Sequence, residues 1–99
     1  DIANGCVLAA TKKNGQNQIF NITYGKAETL YKFVQILSKN FKNLKYTIKK
    51  RDSFRPKRGT LSTVKAKKLL GYKPKYNLEA GVKKYIDFIR STNINKKIL

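Results

Sequence analysis

The sequence contains no histidine and a single cysteine, Cys6. A lone cysteine cannot form an internal disulfide and fits a reducing compartment. Without histidine or a second cysteine, the chain cannot build a typical zinc site, a Ser-His-Asp triad or a Cys-His pair. These absences exclude most hydrolase chemistry from the chain itself. We expect Cys6 to be a small core residue on the apolar face of a helix.

Acidic residues are also scarce, with five Asp and Glu against 23 Lys and Arg. The net charge of +18 attracts polyanions such as nucleic acids, phosphorylated ligands and anionic membranes. Lysine supplies nearly all of this charge beside abundant asparagine and isoleucine, a bias that an AT-rich coding sequence also produces. Two explanations therefore stay open: a polyanion-binding surface, or solvated lysines that report little about partners.

Long hydrophobic runs are missing as well. No apolar stretch approaches the roughly 20 residues of a membrane-spanning helix, and no signal peptide is evident. We therefore expect a soluble, cytoplasmic protein with no membrane partner. Because the chain of 99 residues starts at Asp1 and its apolar pattern already begins at Ile2, we expect a fragment of a longer protein.

Two segments have the character of β-strands, and a helix is predicted between them. Residues 19–24 are rich in β-branched and aromatic side chains, and in residues 44–49 apolar and polar side chains alternate. Residues 28–41 carry a helical apolar stripe, which consists of Leu30, Phe33, Val34, Leu37 and Phe41. Strand, helix and strand in this order imply a right-handed parallel crossover.

Three further helices are predicted. The first is capped by Asp1 and ends at Asn14-Gly15. Its expected inward-facing residues are Ile2, Ala3, Cys6, Val7 and Ala10. The second is capped by Ser62 and ends at Gly71, with Tyr72 folding back and Pro74 preventing continuation. The third is capped by Asn77, and its inward stripe consists of Leu78, Val82, Tyr85, Ile86 and Ile89.

Four motifs occur in a fixed order: "DIANGCVLAA", "FNITYGKAETL", "RPKRGTL" and "KAKKLLGYKPKYNLEAGVKKYIDF". In order and spacing they resemble the C-terminal part of extended short-chain dehydrogenases/reductases, the NAD-dependent nucleotide-sugar epimerase/dehydratase family. The resemblance covers roughly residues 1–90. It implies an α/β fold in which residues 1–92 form the substrate-binding C-terminal portion of a Rossmann-type enzyme, while residues 93–99 are a frayed tail.

The resemblance also implies what this chain lacks. In that family, an N-terminal Rossmann domain holds NAD and the catalytic residues, and the C-terminal portion closes over the nucleotide sugar. We therefore expect no catalytic residue and no bound cofactor in this chain, with NAD in the full-length enzyme, which can form a homodimer. Whether the reaction is epimerisation, dehydration or reduction stays open, as does the identity of the nucleotide sugar.

The family commonly places an arginine from the loop before the "KAKKLLGY" helix against the substrate's diphosphate. Arg55 and Arg58 match that position, and Lys57 and Arg51 are weaker candidates. A guanidinium fork suits phosphate oxygens because it binds them bidentately. Ser62, where many members have aspartate, is expected to be a helix cap. The remaining matched residues are expected to be structural or packing groups: Asn21, Thr23, Gly25, Tyr72 and Tyr76.

An alternative function is a small basic nucleic-acid-binding module. It would use the loop of residues 51–58 and the lysine-rich helix face of residues 65–68 to contact phosphates. Arginine is scarce, however, and no known nucleic-acid-binding motif is present. A third possibility is an independent scaffold or partner-binding domain.

Overall fold

The computed structural model describes residues 1–92, which contain four α-helices and no β-strand. The helices are α1 (Ile2–Thr11), α2 (Leu30–Asn40), α3 (Val64–Leu70) and α4 (Leu78–Ser91), and a 3₁₀ turn at Lys13–Gly15 follows α1. The predicted tail of residues 93–99 lies outside the described residues. The helices belong to two compact units. Unit 1 combines Asp1–Ala27 with Asp52–Tyr76, and unit 2 combines Glu28–Arg51 with the described residues from Asn77 onward.

The predicted α/β fold with a strand-helix-strand unit is wrong. Both predicted strands are irregular, and their apolar side chains are exposed, with Ile19 at 87% and Ile48 at 72%. The two segments also fall in different units. A β-strand is stable only when a neighbouring strand pairs with its backbone groups. Strand-like composition without such a neighbour leaves the backbone irregular here.

Unit 1 has its core where α3 meets the segment after it. Ala66, Leu70 and Tyr72 are buried there, at 1–2% exposure, and are surrounded by the partly buried side chains of Leu8, Ala9, Phe20 and Ile22. Gly5 of α1 is buried beside them. A methyl group at Gly5 would collide with the side chain of Ile22 and lie 3.2 Å from the Tyr72 ring. The glycine therefore allows α1 to approach the core closely.

Helix α1 begins after Asp1 as predicted, but it ends at Thr11 instead of at Asn14-Gly15, and its inward face also differs from the prediction. The residues expected to point inward are exposed or nearly so, including Ile2 at 65%, Val7 at 58% and Cys6. Gly5, Leu8 and Ala9 contact the core instead. Because α1 is apolar nearly all round, periodicity alone does not select its buried face. The close approach allowed by Gly5 selects it.

The end of α3 is confirmed as predicted. Gly71 adopts the left-handed conformation, with φ 68° and ψ 23°. The amides of Gly71 and Tyr72 donate to the carbonyls of Lys67 and Ala66, which satisfies carbonyl groups left open at a helix end. The start differs by one residue. Thr63 occupies the N-cap position, while the Ser62 hydroxyl accepts a 3.3 Å hydrogen bond from the Val64 amide.

Unit 2 consists of α2 packed against α4, and its buried residues are Ile36 and Ile86. The Asn77 cap is confirmed, since its side-chain oxygen accepts a 2.9 Å bond from the Ala80 amide. Four members of the predicted stripes are exposed instead of inward: Leu30 at 80%, Tyr85 at 64%, and Phe33 and Phe41 at 36% and 37%. The most buried residue of α2, Ile36, was absent from the predicted stripe.

Candidate functional site

The basic loop of unit 1 is fixed at its C-terminal end to a neighbouring segment. We call residues 52–62 the basic loop and residues 21–27 the corner. The Asn21 side-chain amide donates a 3.2 Å bond to the Ser62 carbonyl, and the Ala27 amide donates a 3.0 Å bond to the Thr60 hydroxyl. The two ends of the corner are thereby attached to the last residues of the basic loop.

The corner is stabilised by one hydrogen bond between its own residues and by another from a core side chain. The Thr23 hydroxyl accepts a 3.0 Å bond from the Gly25 amide, and the Thr23 carbonyl accepts one from the Tyr72 hydroxyl, also at 3.0 Å. Gly25 has φ 84°, and a Cβ there would lie 3.0 Å from the Thr63 hydroxyl. Asn21, Thr23, Gly25 and Tyr72 are thus structural, as predicted. Burial raises the pKa of the Tyr72 hydroxyl above its ordinary value.

A small open cavity lies between the corner and the basic loop. Its volume is about 190 Å³. The corner contributes one wall and the loop the other, through Thr23, Tyr24, Gly25, Lys26, Ala27, Gly59, Thr60 and Leu61. We call this cavity the groove. It is a concave feature built from the two segments that the family resemblance singles out.

Arg55 forms an ion pair with Asp52, a residue that was not predicted to belong to the site. One carboxylate oxygen of Asp52 lies 3.0 Å from Arg55 Nε, and the other accepts a 3.0 Å bond from the Arg55 backbone amide. The guanidinium carbon also lies 5.8 Å from the centre of the Phe54 ring. The sequence does contain a signal for this pair, because an aspartate three residues before an arginine can accept a hydrogen bond from the arginine's backbone amide.

Arg58 has a different environment. It is exposed and forms no hydrogen bond or ion pair with any residue in the range 1–92. It directly precedes Gly59, which lines the groove. Lys57 is likewise exposed. Arg51, the remaining weak candidate, belongs to unit 2. Arg55, Lys57 and Arg58 are therefore the predicted site residues that the fold places on one loop.

Within residues 1–92, His, Cys, Asp and Glu form no group of three that could hold a metal ion. None of the helices in this range combines the length and the apolar character needed to cross a membrane.

Comparison with known proteins identifies a distant relative. The chain is 33% identical over 94 residues to an uncharacterized protein of Methanocaldococcus jannaschii. The match covers 89% of this chain and 27% of the relative, so the chain spans about a quarter of that protein's length. No family model and no solved structure matches the sequence.

Proposed function

We propose that this chain is the substrate-binding part of an NAD-dependent nucleotide-sugar epimerase or dehydratase, and that its basic loop binds the substrate's diphosphate. The resemblance of four ordered motifs supports the enzyme class. The observation that supports this binding site is the attachment of the basic loop to the corner through the Asn21–Ser62 and Ala27–Thr60 hydrogen bonds. This attachment holds a cationic loop against a concave surface.

The chemistry of the loop suits a diphosphate. Arg55, Lys57 and Arg58 lie within four consecutive residues, and guanidinium groups bind phosphate oxygens through paired, charge-assisted hydrogen bonds. A loop that is already held by hydrogen bonds loses less conformational entropy when a ligand binds. The net charge of +18 adds a favourable long-range field for an anionic substrate.

The chain's own task in this proposal is binding. NAD, held by another part of the full-length enzyme, would oxidise a sugar hydroxyl and later return the hydride. The relative from Methanocaldococcus jannaschii is matched over 27% of its length, which leaves ample room there for a second domain. The full-length protein is proposed to be cytoplasmic and able to form a homodimer.

Calorimetric titration of the purified chain tests the proposal. The ligands are pyrophosphate and a panel of nucleotide sugars: UDP-glucose, dTDP-glucose and GDP-mannose. We expect the double variant Arg55→Ala/Arg58→Ala to lose at least about 1.5–3 kcal/mol of binding free energy, the range for one charge-assisted hydrogen bond.

The control variant is Lys42→Ala/Lys45→Ala, which removes the same charge from exposed residues of unit 2. It should bind nearly as tightly as the wild type, because its charges are not at the site. Equal losses in both double variants would show that only the overall charge attracts the ligand, and the proposed site would be wrong.

The nucleic-acid alternative rests on the net charge of +18 and on no further structural observation. It predicts tight binding to single-stranded or duplex oligonucleotides that survives physiological salt and falls steeply as salt increases. That result, combined with no binding of any nucleotide sugar, would replace the proposal.

A further inference from the structure

We propose that residues 44–49, which we call the open segment, are a docking surface for an extended, acidic segment of a partner protein. The partner's backbone pairs with the backbone of the open segment and supplies the neighbouring strand that this segment lacks. The inference concerns unit 2 and does not depend on the diphosphate site proposed for unit 1. The fold of the chain by itself stays as described, because the open segment is irregular without a partner.

The backbone of the open segment is ready to pair. No amide or carbonyl of residues 45–50 forms a hydrogen bond with another residue in the range 1–92. None of these residues has a positive φ, so each can adopt the extended conformation without left-handed strain. A row of unpaired amide and carbonyl groups is the feature by which an exposed edge captures another extended chain.

The apolar side chains of the open segment alternate as a half-buried strand requires. Leu44, Tyr46 and Ile48 occupy every second position and are 38%, 49% and 72% exposed. In an extended chain, residues two apart face the same side, so these three side chains would form one apolar row. Valine, isoleucine or threonine in an opposing strand would cover this row through cross-strand pairs. The occupant is therefore an extended chain with β-branched side chains at alternate positions.

The remaining positions of the open segment are basic or polar. Lys45 and Lys49 lie on either side of Thr47, and both lysines are exposed. Neither lysine forms an ion pair with a residue in the range 1–92. Cross-strand pairs of opposite charge stabilise a sheet, and like charges directly opposite each other destabilise it. A partner with acidic residues opposite Lys45 and Lys49 is therefore favoured, and its two acidic residues would be four positions apart.

A second copy of this chain does not supply such a partner. The five acidic residues are far apart in the sequence, and the closest two, Glu79 and Asp87, are eight positions apart. Pairing two open segments about Thr47, in either strand direction, would place lysine opposite lysine. The net charge of +18 on each copy adds repulsion between them. The occupant is therefore a segment of a different protein.

The open segment starts from a fixed point of unit 2. The Leu44 amide donates a 3.0 Å hydrogen bond to the Phe41 carbonyl, and the Phe41 amide donates to the Leu37 carbonyl in the last turns of α2. The Arg90 guanidinium of α4 lies 5.5 Å from the centre of the Phe41 ring. Because contacts with both helices hold Phe41, the first residue of the open segment is already positioned, which lowers the entropy lost when a partner binds.

Calorimetric titration of the chain with a designed peptide tests the inference. The probe is Val-Glu-Val-Thr-Val-Glu-Val, acetylated and amidated, which places glutamate opposite Lys45 and Lys49 in either strand direction. A charge control carries lysine in place of both glutamates. Two further peptides are N-methylated at alternate residues, one at each of the two alternating sets. N-methylation removes the amide donor, and only one alternating set of amides faces a paired strand.

We expect the glutamate peptide to bind the wild type, and the lysine peptide to bind at least about tenfold more weakly. One methylated peptide should lose at least about tenfold in affinity, while the other stays within about threefold of the parent. Lys45→Glu/Lys49→Glu should reverse the preference between the glutamate and lysine peptides. The matched control Lys12→Glu/Lys13→Glu alters exposed residues of unit 1 and should keep the wild-type preference. Circular dichroism melts verify that both variants are folded.

Amide hydrogen exchange, followed by mass spectrometry, locates the bound peptide. The amides of residues 45–50 form no hydrogen bond with a residue in the range 1–92, so they should exchange rapidly in the free protein. The glutamate peptide should slow their exchange and leave the amides of the basic loop unchanged. This measurement needs no protein variant.

Several results would overturn the inference. If the glutamate peptide does not bind the wild type, the open segment is not this docking surface. If both methylated peptides bind as tightly as the parent, or if the Lys12/Lys13 control loses the preference too, charge alone attracts the peptide. A dimer in analytical ultracentrifugation, with slow exchange at residues 45–50 before any peptide is added, would make a second copy the occupant. Slowed exchange there with oligothymidylate, but not with the glutamate peptide, would make single-stranded nucleic acid the partner.

Discussion

The Tyr72 hydroxyl donates a 3.0 Å hydrogen bond to the backbone carbonyl of Thr23. The Tyr72 ring is 1% exposed and belongs to the core of unit 1, while Thr23 belongs to the corner and lines the groove. One side chain therefore joins the hydrophobic core to the wall of the candidate site. Stability of unit 1 and geometry of the groove are coupled through this contact.

Removing the hydroxyl alone tests that coupling. Tyr72→Phe keeps the ring but leaves the Thr23 carbonyl without this donor, and we expect the free energy of unfolding to fall by about 1–2 kcal/mol. Urea denaturation measures the change. In Tyr85→Phe, where the ring is 64% exposed, the change should stay within about 0.5 kcal/mol. Equal effects in the two variants would mean that the Tyr72–Thr23 bond contributes nothing.

The same hydroxyl predicts a dependence of stability on pH. Burial raises the pKa of Tyr72 above the ordinary tyrosine value of 10.0, so the folded chain holds this proton more tightly than the unfolded chain. Its stabilising effect is complete below about pH 10 and is lost as the pH rises through the raised pKa. Urea denaturation at a series of pH values should therefore show the advantage of wild type over Tyr72→Phe shrinking above about pH 10. Lysine titration is common to both proteins and cancels in the difference, so an advantage that stays constant to higher pH would contradict the raised pKa.

Two glycines should respond oppositely to the same substitution. Gly71 has φ 68°, a conformation that costs a residue with a Cβ about 1–2 kcal/mol, so Gly71→Ala should be destabilising. Gly81 lies inside α4, where alanine is favoured over glycine by about 0.8–1 kcal/mol, so Gly81→Ala should be stabilising. Thermal and urea unfolding measure the change in stability of each variant. A stabilising Gly71→Ala would contradict the left-handed helix end.

Gly5 is predicted to be required for packing despite its position in a helix. Helix propensity alone favours Gly5→Ala, but the new methyl group would collide with Ile22, whose branched side chain adapts poorly. We expect a net loss of about 1–3 kcal/mol in unfolding free energy, the usual range for overpacking. If Gly5→Ala raised the urea midpoint, α1 could not lie as close to Ile22 as described.

Adjacent residues of α1 test which of its faces is buried. Leu8 packs against the core, whereas Val7 is 58% exposed. Leu8→Ala should lower the unfolding free energy by about 2 kcal/mol or more, and Val7→Ala should change it by less than about 0.5 kcal/mol. The reverse order in urea denaturation would restore the face predicted from periodicity.

The family resemblance predicted Arg55 and Arg58 as site residues, and both lie on the basic loop of unit 1. Their different surroundings were not predictable, because the distinction depends on whether the Asp52 carboxylate turns towards Arg55. The attachment of Thr60 to Ala27 joins residues 33 positions apart, and no local pattern predicts such a contact.

The sequence by itself determined where two helices begin or end. The Asn77 cap and the left-handed Gly71 act on backbone groups within a few residues, so the local sequence is sufficient to predict these helix ends. Tertiary structure decided the rest. Residues 19–24 and 44–49 have strand-like composition but no partner strand, and α1 is apolar on more than one face. In each case the outcome depends on which distant segment is available to pair or pack, and local propensity does not contain that information.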